Sequence, residues 1–374
     1  MTLPTPAFVL EEEALLKNLR ILREVQDRAG CTIILALKGF ALFHSFPMVR
    51  KYLPGTTASS LFEAQLGHAE FGGAVHACAP VYRPSEMPEL LPLVSHITFN
   101  SLSEWERYRP LVAAAKKPVS AALRINPEHA EVATDLYNPG MPGSRLGVSA
   151  TELGPDLPEG IEGLHFHTLC ECGADALDRT WEKLESDFGP LLKQARWLNM
   201  GGGHLITRDD YDVERLIARI QDIRARYDVD IILEPGAAVA WRTGYLVASV
   251  LDRVERRGIR TLMLDVSFSA HMPDCLEMPY HPTVRGARLA AENESGWRLG
   301  GMTCLAGDWL GDYVFDQDPG VGDRLIFEDM MHYTMVKTTM FNGVPHPAIA
   351  CQKIDGSVEV WREFTYADYR ARIG

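Results

Sequence analysis

Lys38 follows the apolar run Ile34-Leu35-Ala36-Leu37 and precedes Gly39. A lysine at the end of a buried strand has two readings. It can lie its stem along apolar surface and hold its ammonium in water. Alternatively it loses its hydration, drops its pKa and becomes an amine nucleophile able to form a Schiff base with a carbonyl. Three other strand ends carry reactive types. Gly201-Gly202-Gly203 follows Trp197–Met200, and three side-chain-free residues can wrap backbone N–H groups round a phosphate or form only a tight turn. Glu234 opens Glu234-Pro235-Gly236 after Ile231–Leu233. A carboxylate there can hold a pyridine nitrogen protonated, which makes the ring a stronger electron sink, or it can pair with an arginine such as Arg242.

His165 and His167 lie on the string HFHTLCECG with Cys170 and Cys172. Alternation places the two histidines on one face of a strand. The spacing H-x-H-x₂-C-x-C matches no common structural zinc pattern, so no metal is expected. A histidine stacked on a flat cofactor is the stronger reading, with a satisfied core histidine open for one of the pair. Cys304 and Asp308 occur in GMTCLAGDWLGD. A thiol can protonate a carbanion and a carboxylate can bind an amine, but from the string alone a buried inert cysteine and a turn aspartate are the favoured readings. Tyr333 has a hydroxyl that could reach a phosphate, or it is a core tyrosine.

These residues need a frame. Eight short apolar, β-branched runs occupy Thr32–Leu37, Thr56–Ser59, Val75–Cys78, Ile97–Phe99, Val119–Ile125, Ile161–Phe166, Trp197–Met200 and Ile231–Leu233. Amphipathic stretches separate them, at Glu12–Arg28, Leu61–Phe71, Pro84–Leu91, Ser103–Ala115, Asp175–Lys193 and Val213–Tyr227. Ser60 and Glu63 predict a capping box, and Ser103 predicts a helix start. Strands alternating with helices imply a parallel sheet, and eight is the number that closes a (β/α)₈ barrel, with reactive groups at the strands' C-terminal ends. A doubly wound open sheet is the alternative. Past Gly236 the runs turn short and β-rich (Tyr245–Val254, Thr261–Asp265, Arg324–Phe327, Ala348–Lys353, Val358–Arg362), which reads as an all-β domain. The lone strand Thr5–Leu10 is available to join it. The expected division is a barrel over 11–240, with 1–10 and 241–374 forming the β-domain.

The 374 residues are 46% apolar and 23% charged, enough for a sizeable core. A net charge of −13 argues against a nucleic-acid partner. Seven scattered cysteines are too few and too odd in number for a disulfide scaffold, and the first residues lack a signal-peptide pattern. No apolar run reaches the ~18 residues of a membrane span. A cytoplasmic enzyme is the expectation.

Order along the chain decides between the paired readings. Lysine after strand one, H-x-H after six, GGG after seven, EPG after eight, then C-x₃-D and Y-T…FNG resembles the alanine-racemase-like pyridoxal-5′-phosphate (PLP) family, fold type III. Ornithine, arginine and diaminopimelate decarboxylases belong to that group. The strings ALKGF, GSRLG, GLHFHTLCE, NMGGGH, SFSAHMPDCLEMPY and CLAGDWLGDY are similar to its carboxynorspermidine decarboxylase branch.

The resemblance implies that Lys38 binds PLP as a Schiff base, His167 stacks on the ring, and Arg145 sits near the ring hydroxyl. It implies that Gly201, Gly202, Gly203, Gly236 and Tyr333 hold the phosphate, that Glu234 pairs with the ring nitrogen, and that Cys304 donates a proton after CO₂ leaves. Asp308 would contact substrate, and Asp274, Glu171 and Asp312 are further candidates for a long cationic arm. The implied assembly is a homodimer in which Cys304 and its neighbours complete the other subunit's site. The implied reaction converts carboxynorspermidine or carboxyspermidine to norspermidine or spermidine. Two departures stand out. Ala237 follows EPG where ornithine-type enzymes carry arginine, and Leu305 replaces the glutamate of the diaminopimelate enzymes' C-E-S-G-D. Decarboxylation of another basic amino acid such as diaminopimelate, racemisation, and non-catalytic regulatory binding on the same fold are the competing readings. Glu234 opposes a racemase, and the joint presence of Lys38, Cys304 and Asp308 opposes a non-catalytic homologue.

Overall fold

A computed structural model describes residues 3–132 and 135–374. The chain divides into two compact units, Lys17–Val239 and Met1–Leu16 with Ala240–Gly374.

The first of these units is a parallel α/β barrel. Its sheet contains nine strand segments, because the first strand breaks at Ile34 into Thr32–Ile33 and Leu35–Ala36. The first half pairs with the eighth strand, Asp230–Leu233, and the second half with the second strand, Gly55–Ala58. Ile34 N–H donates to the Leu233 carbonyl at 2.9 Å and Leu37 N–H to Thr57 at 3.1 Å, so one strand joins both ends of the sheet and the ring is eight strands round. The others are Ala74–Cys78, His96–Phe99, Ser120–Arg124, Ile161–His165 and Trp197–Asn199. The expected barrel is therefore the fold, and the open sheet is set aside.

Local chemistry accounts for the helices. Val213–Tyr227 starts where Asp212 accepts a bond from Arg215 N–H at 3.0 Å, and ends on Asp228 in the left-handed region (φ 53°). Leu216, Ile217, Ile220 and Ile223 form its buried stripe. The helix expected over Leu61–Phe71 splits into an α segment, Leu61–Leu66, and a π turn, Gly67–Phe71. Ser60 caps it as expected, but Glu63 accepts from the N–H of Ser59 rather than Ser60. Ser101, not Ser103, caps Leu102–Ala113, because its hydroxyl accepts from Glu104 N–H at 3.2 Å.

The barrel interior is polar rather than filled with branched aliphatics as in many such barrels. Contacts between non-neighbouring strands identify the side chains that cross it. His96 on strand four meets Trp197 on strand seven (ring centroids 5.1 Å apart) and stacks on His76 of strand three (4.0 Å). Trp197 has room because Gly163 faces it; a Cβ there would lie 2.2 Å from the indole. Ile34, Ala122, Trp197 and Ile232 form a small apolar layer.

The second unit is a mixed sheet. Ala7–Glu11 lies between Gly244–Arg256, to which it is antiparallel, and Ala348–Gln352, to which it is parallel. The early strand thus joins the β-rich unit, with Ala7, Val9, Val247, Ala348 and Ala350 packed as its core. Strands Ala287–Leu289, Trp297–Gly300 and Trp309–Phe315 were not expected from sequence, nor was the helix Tyr366–Ile373, which starts on a Thr365–Asp368 capping box.

Candidate active site

The C-terminal ends of the barrel strands gather the residues singled out in that half of the chain. Lys38 ends the first strand. Its surface is exposed, yet the surrounding barrel groups crowd it, so it lines a concave mouth rather than a convex face. Desolvation pushes its amine below the ordinary lysine value, against the opposing charges of Cys78 and Glu234. Its Nζ lies 3.4 Å from His167 Nε2. His167 Nδ1 accepts the Gly202 N–H at 2.9 Å, which places the ring proton on Nε2. Burial first, then the nearby Lys38 charge, holds His167 well below its usual range. The amine and the imidazole thus stand as close neighbours, each a weaker base than it is in water.

The glycine loop is demanded by packing. A Cβ on Gly203 would lie 1.9 Å from the Leu169 carbonyl oxygen, and φ there is +85°. One on Gly202 would lie 2.5 Å from the Glu234 carbonyl oxygen. Glu234 N–H donates to the Gly201 carbonyl at 2.7 Å, tying the loops after strands seven and eight together. One expectation needs correcting here. Gly201 N–H donates to Asn199 Oδ1 and Gly202 N–H to His167, so two of the three N–H groups expected to face a phosphate are already engaged. They order the loop instead. Gly236 packs against Gly39; a Cβ on Gly39 would stand 2.8 Å from the Gly236 Cα.

Glu234 is buried. Its Oε1 accepts from Asn199 Nδ2 at 2.7 Å and its Oε2 faces His165 Nε2 at 3.3 Å. Burial would raise its pKa, but His165, His76 and Asn199 outweigh that and bring it down to about 2. The salt bridge weighed as an alternative is therefore made with a histidine, on the interior of the barrel.

Sequence reasoning missed Arg124 and Cys78. Arg124 ends strand five, is buried, and donates to the His167 carbonyl at 3.2 Å. Cys78 ends strand three. Both were findable, since each closes an apolar run on the interior parity. Arg145 is exposed on the loop after strand five, with its carbonyl bonded to Asn100. Glu171 is exposed at φ +51° beyond strand six. Among the described residues no cluster of three or more His, Cys, Asp or Glu could hold a metal.

In the other unit, Cys304 is an exposed thiol whose N–H donates to Asn342 Oδ1. Asp308 is buried and fully engaged: Oδ1 accepts from Phe268 and Ser269 N–H, Oδ2 from Thr303 N–H and hydroxyl. It anchors the Cys304 turn, and no acceptor position is left over for a substrate amine. Asp312 pairs with Arg298 across strands at 3.0 and 3.3 Å, so its charge is already matched by a cation of this unit. Asp274 differs. Its Oδ2 accepts from Tyr280 and Thr334 hydroxyls, while its buried Oδ1 has no partner. Tyr333 sits beside Thr334 at φ +32°.

A barrel whose first strand ends in a lysine of lowered basicity, beside a flat histidine, a glycine loop and a buried anion, is the frame of a PLP-dependent lyase. The chain matches the family described as pyridoxal-dependent decarboxylase, C-terminal sheet domain, over residues 31–331. It belongs to that family of PLP-dependent decarboxylases. A carboxyaminopropylagmatine decarboxylase from Synechocystis sp. is 55% identical over 100% of this chain and 96% of the relative. A carboxynorspermidine/carboxyspermidine decarboxylase from Campylobacter jejuni is 41% identical, covering 98% of each chain. The solved Campylobacter jejuni carboxynorspermidine decarboxylase, complexed with norspermidine, superposes with a TM-score of 0.91 at 39% identity, over 99% of this chain and 100% of that one. Together these make it a PLP-dependent decarboxylase.

Proposed function

We propose that the chain decarboxylates carboxynorspermidine and carboxyspermidine. The observation that carries this reading is the convergence of Lys38, His167 and Glu234 on one barrel mouth. The residues present suit PLP. Lys38 is the amine that attaches it, His167 offers a flat face, and Glu234 offers an anion for the ring nitrogen. Gly203 and Gly236 offer backbone at the phosphate end, with Tyr333 as a further candidate and Arg145 or Arg124 near the ring hydroxyl. When bound, the cofactor supplies the electron sink that lets a carboxylate leave as CO₂.

The protein's own part is orientation and proton handling. Lys38, made less basic by desolvation, accepts and returns protons at Nζ next to His167 Nε2. Glu234 stays ionised because His165 and Asn199 hold both oxygens. Cys304 is the candidate acid that returns a proton to the carbon left by CO₂. Asp274 is the best placed of the acidic residues to take a distal cation, because one oxygen is unpartnered. Glu171 is a second candidate. In this reading the functional assembly is a homodimer, with Cys304, Asp274 and Tyr333 serving the site of the other subunit. Seven unpaired thiols fit a reducing cytoplasm.

A second reading has its own support. The 55% identical relative acts on a substrate with the same carboxyaminopropyl head and a guanidinium tail. The head fixes the chemistry and the tail fixes the specificity. CO₂ release from carboxynorspermidine, carboxyspermidine, carboxyaminopropylagmatine and diaminopimelate, compared as kcat/KM, tests both. Preference for the agmatine derivative selects the second reading, and activity on diaminopimelate alone defeats both.

A further inference from the structure

We propose that Cys78 is a positioning residue of this site: with His165 and Glu234 it forms a line of alternating charge across the barrel interior that holds Glu234 as the anionic partner of the cofactor ring. The line begins at Asn199, whose side-chain amide grips Glu234 Oε1 at 2.7 Å. Glu234 Oε2 stands 3.3 Å from His165 Nε2. Across the barrel, Cys78 Sγ lies 3.9 Å from both ring nitrogens of His165. His165 and Glu234 are nearly inaccessible to solvent. The imidazole thus has a carboxylate at Nε2 and a sulfur equidistant from its two nitrogens, in a place where water cannot compensate charge.

In such a site only the arrangement of signs decides which protonation state holds. Burial by itself would keep the thiol and the imidazole neutral. The facing groups reverse this. Cys78 is pulled below its ordinary value, burial being outweighed by His165 and, further off, Arg124. His165 is raised to about 9 by Cys78 and Glu234. The shifts run in opposite directions, so of the two groups the imidazole is the one favoured to hold the proton, and moving it there from the sulfur leaves the net charge of the cluster unchanged. The remaining charged or titratable groups facing it are Lys38, His76, His167, Tyr82 and Arg124. His76 and His167 are held neutral, and the thiolate offsets the cationic Arg124. A protonated ring nitrogen beside Glu234 extends the order to plus, minus, plus, minus. Removing the last minus leaves His165 with one anion among cations. The imidazole then gives up its proton and Glu234 becomes a stronger base, so the ring nitrogen is held differently.

The proposal rests on Glu234 as the ring-nitrogen partner, and its test separates the two. The ultraviolet thiolate absorption of the holoenzyme at neutral pH is compared with that of Cys78→Ser. One thiolate more in the unsubstituted enzyme is expected, and no difference overturns the proposal. Cys78→Ser should lower kcat roughly 10-fold, the scale of an outer hydrogen-bonding partner, and shift the pH at which the cofactor's visible absorption changes. Cys78→Asp, which restores an anion, should recover most of the loss; equal loss in both variants means packing and defeats the proposal. Should Cys78→Ser fail to fold, nitrogen-15 NMR of histidine side chains in the unsubstituted enzyme decides. One imidazolium persisting above neutral pH supports the line, and none overturns it. Unchanged kcat and absorption in Glu234→Gln would instead sink the ring-nitrogen reading while leaving the thiolate intact.

Discussion

Lys38 Nζ and His167 Nε2 stand 3.4 Å apart, and the histidine's other nitrogen is bound by the backbone of Gly202. The glycine loop thereby sets the tautomer of the ring next to the reactive amine. Replacing Lys38 by alanine should abolish both the visible absorption of the bound cofactor and CO₂ release. Retention of either, measured on purified protein, contradicts the role of Lys38.

Glu234→Gln keeps the shape and removes the charge. Electrostatic partners of this kind carry roughly 10²–10³ in kcat. The expected result is a loss of that order with cofactor still bound, read from steady-state kinetics beside the absorption spectrum.

Asp274 should govern the tail rather than the head. Its buried Oδ1 lacks a partner, and a charge-assisted bond there is worth about 1.5–3 kcal/mol. Asp274→Asn should therefore raise KM for a carboxylated polyamine roughly 10- to 100-fold while changing kcat little. A fall in kcat at constant KM assigns Asp274 to the reaction step instead.

Sharing of sites between subunits has a direct measurement. Lys38→Ala and Cys304→Ala proteins, each nearly inactive, are mixed and allowed to exchange. Random pairing in a two-fold dimer gives half mixed dimers, each with one intact site, so roughly a quarter of the unsubstituted activity should return. No recovery despite exchange places both residues in one subunit's site.

His204 makes stability depend on acid. Burial lowers its pKa to about 4, against about 6.5 when unfolded. Because the unfolded chain binds the extra proton, the stabilisation is complete above pH 6.5. It is lost as pH falls from 6.5 towards 4, at about 1.4 kcal/mol per unit. Urea melts across that window should lose this slope in His204→Gln. An unchanged slope assigns the acid sensitivity to other buried histidines, such as His76.

Much of the frame was legible because the barrel repeats one simple pattern, an apolar run followed by an amphipathic one. The ends of the runs carried Lys38, His167, Gly203 and Glu234. What stayed hidden depends on distance through space. Cys78 and His165 lie 87 positions apart and meet only across the closed barrel, so neither string reveals the pair. Asp308 was expected at the substrate because the resemblance implied it, and Asp312 because a long cationic arm suits acidic residues. Their partners, the Phe268 and Ser269 backbone and Arg298, come from other segments that no local pattern announces. Gly201 and Gly202 were read as donors to a phosphate, since nothing in three glycines tells which N–H is already taken.

The strand Ala7–Glu11 is made early, yet Ala348–Gln352, one of its two neighbours, is made about 340 positions later. At ~5–20 residues per second on the ribosome, that strand waits roughly 20–70 s for its place. The barrel segment, complete by Val239, can close during this interval. Newly made chains therefore pass through a stage with a finished barrel and an unpaired, apolar strand edge Ala7-Phe8-Val9-Leu10. Chaperone demand and co-translational aggregation should concentrate at that stage, late in synthesis.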